Sequence, residues 1–365
     1  MESEKVRNIH LQREPHRAEY GHLINRAIPL YEDPTRYNVR QLVDLFNLQW
    51  EMVRAADDET RKEKMAAFEK AIDAVKPLTD APQRVYLWKE GTAGETPDEA
   101  GVMPQETVYE ENPGYVFDHD PDFKPYYLEM LLPEDVTPKG GVVLVAGGSH
   151  GAGTINECYQ VGLEFNAAGF QAFILQCRPN GCPWSKLETA TDAARAFRLI
   201  RQKAAKYRLN PDHLAYAGFS NGGVTGDHQI LFYSQDQATR DYFPDYQPDE
   251  ADAFSGKSNA YLCVYGARHM GTEYPEENVS YPPTFFAIGR HDFVCCDNLF
   301  KEHLPYLQRH EVPYEIHTFA AHPHGYAGWK IIDGNNDPNF DLWVNHAVCF
   351  LEDAFDICRW QKPEI

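Results

Sequence analysis

Apolar residues recur at helical spacing in two stretches near the start of the chain. Across residues 36–55, Leu42, Leu45, Phe46, Trp50 and Val53 fall along one face, and across 58–75 Met65, Phe68, Ile72 and Val75 do the same. The spacing predicts a helical hairpin, with Asp57 or Asp58 capping its second helix and Pro77 ending it. Further on the pattern changes to short apolar runs rich in β-formers at 141–146, 213–218, 260–265, 283–289 and 314–319, which read as strands. Between them, residues 192–207 place Ala193, Ala196, Phe197, Ile200 and Ala204 at helical spacing, with Arg195, Arg198, Arg201 and Lys203 on other faces. That helix, the Asn210-Pro211-Asp212 turn and the strand after it have the order of a parallel βαβ crossover. The fold class predicted is α/β: a doubly wound, mostly parallel sheet over residues 81–365 with helices on both faces, and an N-terminal helical appendage over 1–80.

Length and composition fit this picture. At 365 residues and 43% hydrophobic, the chain can bury one full sheet domain plus an appendage. A net charge of -21 repels phosphate backbones and anionic lipid surfaces, so neither nucleic acid nor membrane is expected as a partner. No apolar stretch approaches bilayer length and M-E-S-E-K-V-R-N-I-H has no signal-peptide core, so the expectation is a cytoplasmic protein. The eight cysteines show no paired zinc spacing and read as buried thiols of a reducing compartment. The hairpin has three open roles: packing on the sheet domain, a lid, or a homo-oligomer contact. Tyr20, Tyr31 and Tyr37 are its candidates to reach a cleft. The polar stretch 233–257 is either a binding loop or a passive insertion, and its Tyr233, Tyr242, Phe243, Tyr246 and Phe254 suit a stacking wall or core packing equally.

The chemistry enters at A-Y-A-G-F-S-N-G-G, residues 215–223. Glycines two positions either side of a serine allow a sharp strand-to-helix turn that presents the hydroxyl at its tip, which makes Ser220 a candidate nucleophile. A serine hydroxyl needs a base, and a histidine base needs a carboxylate to orient it. Asp292, directly after the strand 283–289, is the choice for the acid, with Asp297 in reserve as an alternative helix cap. His324, just past the strand 314–319, is the choice for the base. His322 competes with it, and Pro323 between them lets only one face a cleft. Oxyanion donors are expected from the Asn221 amide and from Gly148 or Ser149, in the glycine-dense loop after the strand 141–146. A phosphate-cradling role for that loop fails because G-S-H-G-A-G-T has threonine where the P-loop lysine belongs. Otherwise these histidines would be solvated loop residues and the glycine motif an ordinary turn. A metal set of His317, His322 and His324 is a second reading, opposed by the mid-strand position of His317.

Seven ordered motifs carry a family resemblance over roughly residues 85 to 355. They are L-W-K-E-G at Leu87, Y-Y-L-E-M-L-L-P at Tyr126, A-G-G-S-H at Ala146, D-A-A-R-A-F-R-L-I-R at Asp192, N-P-D-H-L-A-Y-A-G-F-S-N-G-G at Asn210, P-P-T-F-F-A-I-G-R-H-D-F-V at Pro282 and H-P-H-G-Y at His322. In their order the chain resembles the bacterial acetylesterase and carbohydrate-esterase branch of the α/β-hydrolase superfamily, near the acetyl xylan esterases and hormone-sensitive-lipase relatives. The resemblance implies a serine esterase working through an acyl-enzyme, with Ser220, Asp292 and His324 as triad, no cofactor, and a small-molecule ester such as an acetylated carbohydrate as substrate. Two departures stand out. The loop lacks the histidine that opens the H-G-G-G motif of many relatives, and Asn221 replaces the small residue usual after the serine, so its side chain is a candidate substrate contact. Peptidases and thioesterases of this fold use the same triad and are the enzymatic alternatives. A binding protein on the same fold is the non-enzymatic one.

Overall fold

One eight-stranded sheet organises the computed structural model, which describes residues 16–32, 36–79, 84–88, 124–148, 154–178, 185–268, 279–328 and 342–356. In chain order its strands are β1 (Arg84–Tyr86), β2 (Tyr126–Met130), β3 (Gly141–Val145), β4 (Gln171–Gln176), β5 (Leu214–Phe219), β6 (Ala260–Val264), β7 (Thr284–Gly289) and β8 (Tyr314–Phe319). Their spatial order is β1-β2-β4-β3-β5-β6-β7-β8. The pairs β1–β2 and β2–β4 are antiparallel, and every other pair is parallel. Strands β3 to β7 are buried throughout, so they read as continuous apolar runs rather than alternating ones. Their side chains still alternate between two cores: Val143, Val145, Tyr216 and Phe286 line one face, and Val142, Leu144, Ala217 and Phe285 the other. This is the doubly wound sheet expected. Strand β4 was not predicted, since Q-A-F-I-L-Q carries only four apolar residues, although Gly169 just before it and Pro179, Asn180 and Gly181 just after it mark its ends.

The helices differ more from expectation. The crossover helix begins at Lys186, because Ser185 and Glu188 form a capping box ahead of it. It ends at Gln202, and a separate short turn spans Ala204–Tyr207. Arg195, Arg198 and Arg201 are only 2%, 3% and 6% exposed. The segment after the helix Asn221–Tyr233 folds back over them: Arg195 pairs with Asp249 and Asp252, Arg198 with Asp252, and Arg201 donates to the Ser255 carbonyl and Asn259. The stretch 233–257 is therefore held down on this helix. Tyr233, Phe243 and Tyr246 are buried within it, which favours core packing over a stacking wall.

At the same helix, Asp192 is fully buried and accepts hydrogen bonds from Trp88 Nε1, the Arg178 amide and two nitrogens of the equally buried Arg178 guanidinium. Asp192→Ala would leave that charge only the longer contact to Glu188, at 3.4 Å. The expected cost is about 3–5 kcal/mol of stability, read by urea unfolding; a loss under about 1 kcal/mol, the scale of an exposed pair, would show the network to be dispensable.

The expected hairpin is present as α2 (Val39–Val53) and α3 (Asp58–Ala74), and a further helix, α1 (Arg17–Glu32), precedes it. Asp57 caps α3 by accepting from the Thr60 amide at 2.8 Å. The bundle has a core of its own that contains Tyr20 and Tyr31, with Tyr37 packed against it, so these rings serve the bundle and not a cleft. The Trp50 side chain lies outside what the structure describes. Helices α1 and α2 lean on a π-helical segment, Thr154–Gln160, which runs into α4 (Val161–Ala167) beneath the sheet's glycine-dense loop. No helix among the described residues is long and apolar enough to cross a membrane.

One buried histidine makes stability depend on pH. His303 packs edge-on against Tyr281 and Phe286, and neither ring nitrogen has a hydrogen-bond partner among the described residues. Asp227 Oδ1 lies 3.9 Å from it but is taken by the Tyr281 hydroxyl. Burial, aided by the Arg268 charge, pushes its pKa down to about 3. Between the unfolded value near 6.5 and that figure, the unfolded chain binds a proton that the native state does not. Stability therefore falls as pH drops below about 6.5, by about 1.4 kcal/mol per unit from this group. His303→Leu should flatten urea-unfolding stability between pH 6.5 and 5 by that slope; parallel curves would contradict the assignment.

Candidate active site

Strand β5 ends at Phe219 and the helix Asn221–Tyr233 (α6 below) begins one residue past Ser220, which leaves the serine alone in the turn. Its backbone sits at φ 51, ψ -116, a strained conformation for a side-chain-bearing residue. Both flanking glycines are required. A Cβ on Gly218 would lie 2.3 Å from the Gly222 carbonyl oxygen, and one on Gly222 would lie 2.1 Å from that of Val145. The sharp turn thus depends on the missing side chains, and the strain at Ser220 is held by close packing between β3, β5 and α6.

Strands β7 and β8 bring the other two groups to the same end of the sheet. Asp292 is 2% exposed, and its Oδ1 accepts from the Val294 and Cys295 amides at 2.8 Å each. Its Oδ2 lies 2.8 Å from His324 Nδ1, and His324 Nε2 lies 2.8 Å from Ser220 Oγ. Ser220, His324 and Asp292 therefore form an unbroken hydrogen-bonded chain. The reserve residues stand elsewhere. Asp297 is 84% exposed on its side chain and pairs with Lys301, inside the short helix it was a candidate to cap. His322 is buried, stacks on Phe319 and meets Tyr326 edge-on.

The loop after β3 closes over the serine. Gly147 lies so near that a Cβ there would come within 2.8 Å of Ser220 Cβ. Gly148 takes φ +61, and its carbonyl accepts from Asn221 Nδ2 at 3.1 Å. The side chain read as a substrate contact thus ties the loop to the nucleophile helix. The Asn221 amide opens α6, where helix N–H groups face outward and favour negative charge. Ser149 lies outside the described residues.

Three neighbours escaped the sequence reading. Glu157, ten residues beyond Gly147, accepts from the Gly147 amide and from the Tyr265 hydroxyl. Tyr265, at φ 37, packs edge-on against the His324 ring. Cys295 is buried beside Asp292 and His324, and a donor atom from each of the three lies within 4.8 Å of the others. Burial pushes the Cys295 thiol and the Glu157 carboxyl upward from their usual pKa values. The metal set read from sequence does not assemble: His317 stacks on Phe285 and His346, and His322 on Phe319. Chemically, the site offers a hydroxyl, a base already aimed at it, a buried acid behind the base, and a loop and a helix start able to meet an oxyanion.

No family model matches the chain. Among solved structures, an acetyl ester-xyloside bifunctional hydrolase from Caldicellulosiruptor lactoaceticus is similar, at TM-score 0.53 and 20% identity over 74% of this chain and 96% of that one. The propionate-bound Est2 esterase of Thermogutta terrifontis is also similar, at TM-score 0.50 and 15% identity, over 66% of this chain and 93% of its own. A curated relative, endo-1,4-beta-xylanase B of Butyrivibrio fibrisolvens, is 27% identical over 165 residues, 44% of this chain. The match spans only 24% of that xylanase. At these identities the structural likeness is one of architecture, and with the strand order and the serine turn described above it establishes that this chain has the α/β-hydrolase fold.

Proposed function

We propose that this protein is a serine hydrolase of carboxylic esters. The observation that carries the reading is His324 standing 2.8 Å from both Ser220 Oγ and Asp292 Oδ2, with the serine on a strained turn under a glycine loop. In this scheme Ser220 Oγ attacks the ester carbonyl while His324 Nε2 takes its proton. The amides of Asn221 and of Gly148 or Ser149 receive the oxyanion. His324 then gives the proton to the leaving alcohol, and an acyl-serine remains. Water, deprotonated by the same imidazole, releases the acid. Asp292 holds the ring and offsets its charge throughout, and no cofactor is required.

A small acyl group such as acetyl, on a carbohydrate or similar alcohol, is the substrate class we infer. It is supported by the motif resemblance, by the acetyl ester-xyloside hydrolase among the similar structures, and by the partial match to a xylanase. A cytoplasmic setting suits the free thiols at Cys158, Cys177, Cys263 and Cys295. Labelling with a fluorophosphonate probe tests the nucleophile: the protein should label and Ser220→Ala should not, whereas an unlabelled wild type favours a binding role. Turnover of p-nitrophenyl acetate beside longer esters, an aminoacyl amide and an acyl thioester tests the acyl class. Faster cleavage of the amide or thioester would move the assignment to a peptidase or thioesterase.

A further inference from the structure

Behind the glycine loop stands a buried carboxylate that the acyl-transfer scheme does not use. Glu157 Oε2 accepts from the Gly147 amide at 2.6 Å, and its Oε1 accepts from the Tyr265 hydroxyl at 2.8 Å. Gly147 is the loop residue pressed against Ser220, and the Tyr265 ring lies edge-on to His324 with centroids 5.1 Å apart. One side chain therefore holds the loop that would bind the oxyanion directly, and backs the ring that would take the proton by way of Tyr265. We propose that Glu157 is a positioning residue for the Ser220 site, fixing the loop through the Gly147 amide and holding the Tyr265 ring against His324 through the tyrosine hydroxyl. The inference rests on the serine-hydrolase reading.

Three features support it. A carboxylate kept out of water is costly unless its oxygens are satisfied, and both oxygens of Glu157 are. The Gly147 amide is turned back onto Glu157, so an oxyanion donor has to come from further along the loop, and Gly148 is the first amide in line. Gly148 is itself held from the other side by Asn221 Nδ2, so the loop is pinned at two consecutive residues. Burial raises the pKa of Glu157, and the hydrogen bonds from the Gly147 amide and the Tyr265 hydroxyl oppose that rise. The other polar groups facing His324 are Asp292, Ser220 and the Cys295 thiol. Those near Glu157 are Tyr265 and the buried Cys158 thiol next to it.

Two variants of the full chain separate the parts of this role. Glutamine at 157 can keep both hydrogen bonds, its carbonyl accepting from Gly147 and its amide donating to the Tyr265 oxygen, but it carries no charge. Alanine loses both. With p-nitrophenyl acetate, Glu157→Ala should lower kcat by about 10²- to 10³-fold, the scale of losing one oxyanion donor, with KM little changed. Glu157→Gln should recover most of that rate, because it can keep both hydrogen bonds. Wild-type kcat in the alanine protein overturns the proposal, and so does a glutamine protein as slow as the alanine one. If the alanine protein does not fold, Glu157→Leu, which keeps the bulk and neither bond, takes its place against the glutamine protein. Fluorophosphonate labelling of the unaltered protein keeps the two levels apart. No label sinks the hydrolase reading, whereas a labelled protein with unchanged variant kinetics sinks only the role of Glu157.

Discussion

Ser220→Ala is expected to fold normally and to lose about four to six orders of magnitude in kcat. The fold should survive because the serine hydroxyl adds little to packing. Its backbone strain is imposed by Gly218 and Gly222 from either side, and alanine has the same φ preference as serine. The rate should collapse because the imidazole, still oriented by Asp292, would have no nucleophile to activate except water. Residual turnover would come from substrate binding and the loop amides. The check is single-turnover and steady-state hydrolysis of p-nitrophenyl acetate, with circular dichroism to establish folding. A kcat within about tenfold of wild type would mean that another group attacks the carbonyl.

Asp292→Asn should cost about four orders of magnitude, through a change of tautomer. Asp292 Oδ1 accepts from two backbone amides, so an asparagine must place its carbonyl oxygen there. Its NH₂ group would then occupy the Oδ2 position, 2.8 Å from His324 Nδ1, as a donor. The imidazole can accept that bond only with its proton on Nε2, and an Nε2–H cannot take a proton from Ser220. Unlike a simple loss of charge, this predicts a large fall in kcat with KM nearly unaltered. A variant that retained more than a tenth of the wild-type rate would show that His324 does not need Asp292 to hold its tautomer.

The order of strand ends was legible because the reactive residues follow apolar runs directly. Gly218 to Gly222, Gly289 to Asp292 and Phe319 to His324 each place a polar group just past a strand, and a parallel sheet gathers such ends on one edge. What escaped depended on partners distant in the chain. Helical spacing set Arg195, Arg198 and Arg201 apart from the apolar face, and only the return of residues 249–259, more than fifty residues later, covers them. Glu157 meets Tyr265 across 108 positions, and no local pattern announces that pairing. Helix α1 was missed because Pro29 interrupts an otherwise helical stretch. The Ser185–Glu188 capping box, three residues apart, stands in the sequence as a readable start for the helix at Lys186.

The N-terminal bundle has an interior separate from that of the sheet, yet it touches the short segment from which Glu157 projects. A region far from the serine in sequence is thereby a neighbour of the segment that supports the glycine loop.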